Sequence, residues 1–352
     1  LGLRQQLDVP DLVAESLNNV AFASLQLGQF DNALVYWQQA LALYRQLDSV
    51  DRMLRIELSI GLLDIARGHY AEARTRLQAS LRDAEDRQLP EEASIGHINL
   101  AELALAEGRL ADALEHAGLA RQIALRRTDL RTATEAALLQ GRANCELGDA
   151  KGIDAALARL PETIDNSEQA ASRLLVESCR ARLSGDFGAA TTHLESADRL
   201  AAEIHSGKLG TEIRLRRLRL ALAGGDAASI QAPLQALRND SAQVREFPQQ
   251  LEWLTLQVAA ALRANDKAEA ARRYRDALGL LKGIEYSGVA FMLHGLGSMA
   301  MGGRASEALA AQAAAGDART RLLADAPAAS RPLLQQWLER RLREESGVEH
   351  AN

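Results

Sequence analysis

The sequence predicts an all-α solenoid of about eight stacked helical hairpins followed by a capping helix, and three observations carry that expectation. Eight turn signals recur along the chain: Leu27-Gly28, Arg67-Gly68, Glu107-Gly108, Leu147-Gly148, Ser184-Gly185, Gly224-Gly225, Ala264-Asn265 and Gly302-Gly303, at intervals of 40, 40, 40, 37, 40, 40 and 38 residues. A period of roughly 20 to 50 residues marks supersecondary units that bury their apolar faces on their neighbours. Hydrophobic residues make up 47% of the chain but aromatics only 4%, with Ala, Leu, Arg and Glu dominant, so helix propensity is high and strand-like alternation is absent. Finally, 352 residues exceed what one compact core organises, whereas a stacked array has no such limit.

Glycine or asparagine at each signal suits the left-handed conformation that ends a helix. First helices are therefore expected near 11–27, 52–67, 91–107, 130–147, 166–184, 210–223, 248–264 and 286–302, with Pro10, Pro90 and Pro248 marking starts. Second helices are expected near 31–47, 71–87, 111–127, 151–160, 187–205, 227–238, 267–282 and 304–324. The short interval before Gly185 contains Leu160-Pro161-Glu162, which predicts a truncated second helix in the fourth hairpin. Pro233 falls inside the second helix of the sixth and predicts a local irregularity there. A last helix is expected from Ser330 through Arg343, with Ser330 as its cap, Pro332 in its first turn, and Leu334, Trp337, Leu338 and Leu342 as its apolar stripe. It would cover the last exposed core surface of the array.

The residues around the turns identify the unit. Leu27-Gly28-Gln29-Phe30-Asp31-Asn32-Ala33 returns as Arg67-Gly68-His69-Tyr70-Ala71-Glu72-Ala73 and Glu107-Gly108-Arg109-Leu110-Ala111-Asp112-Ala113. Seven residues before the turns stand Ala21, Gly61, Ala101, Gly141 and Ser178, and five after them Ala33, Ala73, Ala113, Ala190, Ala270 and Ala308. Small side chains there let the two helices of a hairpin approach. The pattern resembles the tetratricopeptide repeat in its long form of about forty residues; it is weaker where Ile153 and Ile230 replace the expected alanine. The resemblance implies a right-handed superhelix, with eight repeats over 11–326 and a capping helix and tail over 327–352. Residues 1–10 match the stretch forty positions later at Leu3, Gln6 and Leu7, as expected of the tail of a preceding repeat, and the chain reads as the C-terminal part of a longer protein.

No catalytic constellation is visible: there is no phosphate-binding Gly-x-x-x-x-Gly-Lys, no His-Glu-x-x-His and no Cys-x-x-Cys. No enzyme activity, cofactor or metal is expected. Cys145 and Cys179, 34 residues apart, occupy similar parts of adjacent repeats and read as reduced, partly buried thiols, with a redox pair as the alternative. A net charge of −6 argues against direct nucleic-acid binding through the array, and the uncharged stretch from Tyr286 to Gly303 is broken by glycines, so no membrane span is expected. A cytoplasmic location follows.

In arrays that this one resembles, the first helix of each hairpin lines a concave groove. Carried over by position, that implies a partner-binding surface of Asn18, Phe22, Leu25, Leu62, Ile65, Ile98, Glu102, Arg142, Arg182, Leu215 and Arg219. The early part is mostly apolar, and the middle gains the row Arg142, Arg182 and Arg219. Two readings of the row stand side by side: contact with an acidic or carboxylate group of a bound protein or peptide, or pairing with nearby Glu102, Glu146 or Glu177. The lysines of a chaperone-type carboxylate clamp are absent. The resemblance implies an interaction and sensing module, such as those in bacterial maltose-activator-like regulators or kinases with C-terminal arrays. A freestanding scaffold, or a receptor for a peptide or metabolite using Phe22, Leu62 and Ile98, is the alternative.

Overall fold

The computed structural model describes residues 9–224, 227–281, 288–302 and 306–347. Gly225, Gly303, the segment 1–8 and the tail 348–352, on which some of the expectations rest, lie outside the described residues. Among the described residues there are seventeen α-helices and no strand. First helices of the hairpins are α1 (Pro10–Gln26), α3 (Val50–Ala66), α5 (Pro90–Glu107), α7 (Leu130–Leu147), α9 (Ser167–Leu183), α11 (Gly207–Gly224), α13 (Phe247–Arg263) and α15 (Gly288–Met301). Their partners are α2 (Phe30–Gln46), α4 (Tyr70–Asp86), α6 (Leu110–Arg126), α8 (Ala150–Leu157), α10 (Phe187–Glu203), α12 (Ala227–Asn239), α14 (Lys267–Leu278) and α16 (Ser306–Asp325), and α17 (Arg331–Ser346) follows.

The turns form as their residue types require. Gly28, Gly68, Gly108, Gly148 and Gly185 hold φ between 66° and 82°, and Asn265 holds 57°. At the first turn the Gly28 N–H donates to the Leu25 carbonyl and the Gln29 N–H to that of Ser24, both at 2.8 Å, so the last carbonyls of α1 are satisfied. The turns between hairpins use the same left-handed geometry without glycine: Asp48, Gln88, Thr128 and His205 have φ of 51° to 58°. That conformation costs an L-residue roughly 1–2 kcal/mol, offset by bonds such as Ser49 N–H to the Tyr44 carbonyl at 3.1 Å.

Small residues bring the helices of a hairpin together. Ala21 faces Ala33's helix and Ala101 faces Ala113's, all four essentially fully buried. A Cβ at Gly61 would stand 2.7 Å from Leu77 Cγ, so α3 and α4 meet there at glycine distance. The fourth hairpin departs from the pattern. Its α8 is only eight residues long, as the short interval predicts, and Gly141 packs on Val176 of the next hairpin instead. At Pro233 no break occurs: α12 runs from Ala227 to Asn239, held by buried Ile230, Leu234 and Leu237.

Two features are tertiary. The superhelix curves until its seventh hairpin meets its first two: a Cβ on Gly68 would lie 2.6 Å from the Phe247 ring, Tyr70 meets that ring edge-on at 6.0 Å, and Arg245 donates to the Leu27 carbonyl. One apolar core accordingly joins residues of α3 to α5, such as Leu58 and Leu103, with α11, α13, α15 and α16. The second is the position of α17. It packs on both helices of the last hairpin, α15 and α16, as a capping helix does, and also reaches α7, α11 and α13, with Leu334, Trp337 and Leu338 buried. Its start differs too: a single 3-10 turn, Ala328–Ser330, leads into it, and the Ser330 hydroxyl makes no cap hydrogen bond.

Candidate functional site

Stacking the first helices in a closed curve leaves a cavity of about 420 Å³ on their inner side. It is lined by Phe22 and Leu25 from α1, Leu62 and Ile65 from α3, Ile98 and Glu102 from α5, Arg142 from α7, and Leu215 and Arg219 from α11. Those residues recur at matching distances before successive turns, which puts them on one helix face. Two residues of the expected set are elsewhere. Asn18 accepts a hydrogen bond from Trp37 Nε1 at 2.9 Å, inside the first hairpin. Arg182 is buried beneath the Trp337 ring of α17, 5.1 Å from its centre, and pairs with Glu344 at 3.2 Å. The lining also includes Lys208, Glu246 and Glu252, brought in by the curvature. Lys208 had no signal, because α11 begins earlier than its turn spacing predicts; Glu246 lies before the Pro248 start mark.

Cys145 and Cys179 are corrected from separate thiols to a disulfide that ties α7 to α9, with Cα atoms 6.2 Å apart. Cys145 is three residues before its turn and Cys179 six before the next, and this places them side by side on adjacent first helices. Among the described residues no cluster of three or more His, Cys, Asp or Glu is arranged to hold a metal ion, and no helix is long and apolar enough to cross a membrane.

Residues 12–86 match the family model of the tetratricopeptide repeat. The fold is a tetratricopeptide-repeat superhelix. Solved structures are similar over most of the chain. One is a tetratricopeptide repeat protein from Parabacteroides merdae ATCC 43184, 15% identical, with a TM-score of 0.49, covering 83% of this chain and 100% of its own. Another is a Rap protein complexed with Competence and Sporulation Factor, 10% identical, with a TM-score of 0.57, covering 94% of this chain and 99% of its own. No curated protein matches the chain in sequence.

The cavity of this tetratricopeptide superhelix has an apolar side, built by α1, α3 and α5, and a charged side, built by α7, α11 and α13. On the charged side Arg142 pairs with Glu102 at 2.5 Å, Arg219 with Glu252 at 2.8 Å, Arg216 with Glu212 at 2.8 Å and Lys208 with Glu246 at 3.0 Å. The Arg142–Glu102 pair is one that the structural reading of the arginine row names, whereas Glu177 pairs with Arg173 at 2.8 Å. Burial alone would raise Glu212, but the Arg216 and Arg142 guanidinium groups outweigh it and hold the carboxyl at about 2.

Glu135 of α7 is different. It faces the same cavity, exposed to it, with no ion pair, and the surrounding protein together with the Glu102 charge pushes its carboxyl up to about 7. A carboxyl raised in the folded state stabilises below its unfolded value near 4.5 and loses that contribution as the pH rises through 7. Glu135→Gln is therefore expected to raise the melting temperature at pH 8 and to leave it unchanged near pH 4.5. An equal shift at both values would show that packing, and not charge, sets the difference.

Proposed function

We propose that the chain is a non-catalytic interaction and sensing module that binds a protein or peptide segment in the concave groove, as the C-terminal regulatory part of a larger bacterial signalling protein. The observation that supports this reading is the two-sided cavity. An apolar wall of Phe22, Leu62 and Ile98 faces a charged wall in which Glu135 is unpaired, which suits an extended segment with apolar side chains and polar or cationic groups opposite them. A trough bounded by helices on both sides suits an extended segment better than the flat face of a folded partner. The Rap protein of similar fold was solved with a bound factor, which is consistent with such a use of the groove. Signalling is supported by the resemblance to arrays of regulators. It predicts a kinase, NTPase or winged-helix domain encoded upstream of Leu1. A cytoplasmic location belongs to the same reading, and the Cys145–Cys179 disulfide, which a reducing compartment would open, is the observation that stands against it.

The groove is tested by selecting twelve-residue peptides on the whole chain and measuring their affinity for Phe22→Glu and Leu62→Glu variants, with Leu130→Glu on the outer surface as control. Both side chains retain some exposed surface but also pack on core residues, so circular dichroism of each variant must match the wild type before affinities are compared. Each groove variant is expected to weaken binding at least about tenfold, roughly the 1–2 kcal/mol of one lost apolar anchor. Peptides that bind all three variants as tightly as the wild type would place the site elsewhere.

A further inference from the structure

The arginine row meets carboxylates that belong to the chain itself. Glu345, near the end of α17, is fully buried, with its Oε1 3.6 Å from Arg219 Nε and 3.8 Å from an Arg182 Nη. Glu344 takes Arg182 at 3.2 Å, and in the opposite direction Arg341 of α17 reaches Glu146 of α7 at 3.3 Å. Leu334, Trp337 and Leu338 fill the apolar positions ahead of the acid pair. α17 thus has the properties that the groove would require of a helical ligand: an apolar stripe at i, i+3 and i+4, followed by two carboxylates set against guanidinium groups.

The fit is incomplete. Arg182 Nε, Trp337 Nε1 and Glu345 Oε2 are buried without a hydrogen-bond partner in the protein, and a dock that leaves polar groups unmatched is weaker than one that satisfies them. The covalent connection from α16 to α17 is the short segment 326–330, although the two helices also touch. It is 16 residues long, about 24 Å, so its departure would open a trough on the order of 2,000 Å³ beside the cavity.

We propose that α17 is an internal stand-in for the partner: it occupies the arginine-lined part of the groove and yields it to an amphipathic helix of another protein that carries paired carboxylates after an apolar i, i+3, i+4 stripe. This rests on the groove being the binding surface and names the kind of partner that its α7–α13 stretch takes. A tethered helix competes at an effective concentration in the millimolar range, so an incoming helix must bind more tightly than the imperfect internal one or arrive when that one has loosened.

Two measurements on the whole chain test it. Hydrogen exchange of the wild type should show the α17 amides exchanging at least about 100-fold faster than those of α5, through local opening. In the second, the probe is a fluorescein-labelled synthetic peptide with the sequence of residues 328–347. It should bind the wild-type chain weakly and the Trp337→Ala chain at least about tenfold more tightly, because the peptide keeps its own tryptophan while the tethered helix has lost its anchor. Adding Arg219→Glu to that chain should abolish binding, and a peptide carrying Glu345→Arg should restore it. If α17 exchanges as slowly as α5, or if the Trp337→Ala chain remains folded by circular dichroism and binds the peptide no better than the wild type, α17 is a fixed part of the fold and the proposal fails. Loss of peptide binding in Phe22→Glu and Leu62→Glu would stand in that case, and so would the groove itself.

Discussion

Trp37→Ala is expected to destabilise the first two hairpins by about 3–5 kcal/mol, the range for truncating a fully buried tryptophan in a core that cannot collapse to fill the space. Trp37 has no exposed surface, donates from Nε1 to Asn18 and presents its ring at 89° to that of Phe22, with centres 5.3 Å apart. Its neighbours Leu17, Leu41, Tyr44 and Ile60 form a cluster confined to α1, α2 and α3, separate from the large central core. In a stacked array such a loss is local, so amides of α1 and α2 should exchange at least about 100-fold faster while those of α9 and α10 remain unchanged. A uniform increase across all helices would show instead that closure through Arg245 and Phe247 makes the molecule one cooperative unit. Asn18→Ala, which removes the hydrogen bond and keeps the ring, should cost only about 1 kcal/mol.

Acid should weaken the third hairpin. His97 of α5 and His116 of α6 approach with their Nδ1 atoms 2.9 Å apart, an arrangement in which one ring must donate and the other accept, so both cannot be charged. Burial first, and then the neighbouring His116, lower His97 to about 4, and burial lowers His116 as well. With folded values below the unfolded 6.5, the unfolded chain binds more protons between them. Stability from the pair is therefore complete above pH 6.5 and is lost as the pH falls towards 4, on the order of 3 kcal/mol for His97. Glu85, 3.7 Å from His97 Nε2 and half exposed, offers a partly compensating partner once the ring is charged. Because Glu135 acts in the opposite direction, the decisive comparison is between the wild type and His97→Gln: urea midpoints at pH 7.5 and 4.5 should differ less in the variant. The same difference in both proteins would assign the acid sensitivity to other groups.

Much of the helical framework could be read in advance because its causes are local. A glycine or asparagine that must take positive φ announces a helix end wherever it falls, and seven of the turn signals do so among the described residues. The truncated α8 was legible for the same reason, since a missing turn of helix shortens the interval between two signals. Turns at Asp48, Gln88, Thr128 and His205 carried no such mark, because backbone hydrogen bonds and not residue type hold their left-handed geometry. The cavity lining followed from position along each first helix, as with Phe22, Leu62 and Arg142. Arg182 did not follow, because what covers it arrives from more than 150 residues away.

Hairpin identity, their order and the inward face of each first helix are therefore written in the chain at short range, through spacing, small-residue contacts and helix-ending residues. Three things belong to the tertiary structure alone: the meeting of the seventh hairpin with the first two, the joining of Cys145 to Cys179, and the seating of α17 in the groove. The disulfide needs only the packing of two neighbouring first helices, whereas the other two depend on the small rotation from one repeat to the next, summed over the array. A few degrees at every step decide whether distant residues such as Leu27 and Arg245 meet or pass, and no local pattern records that sum.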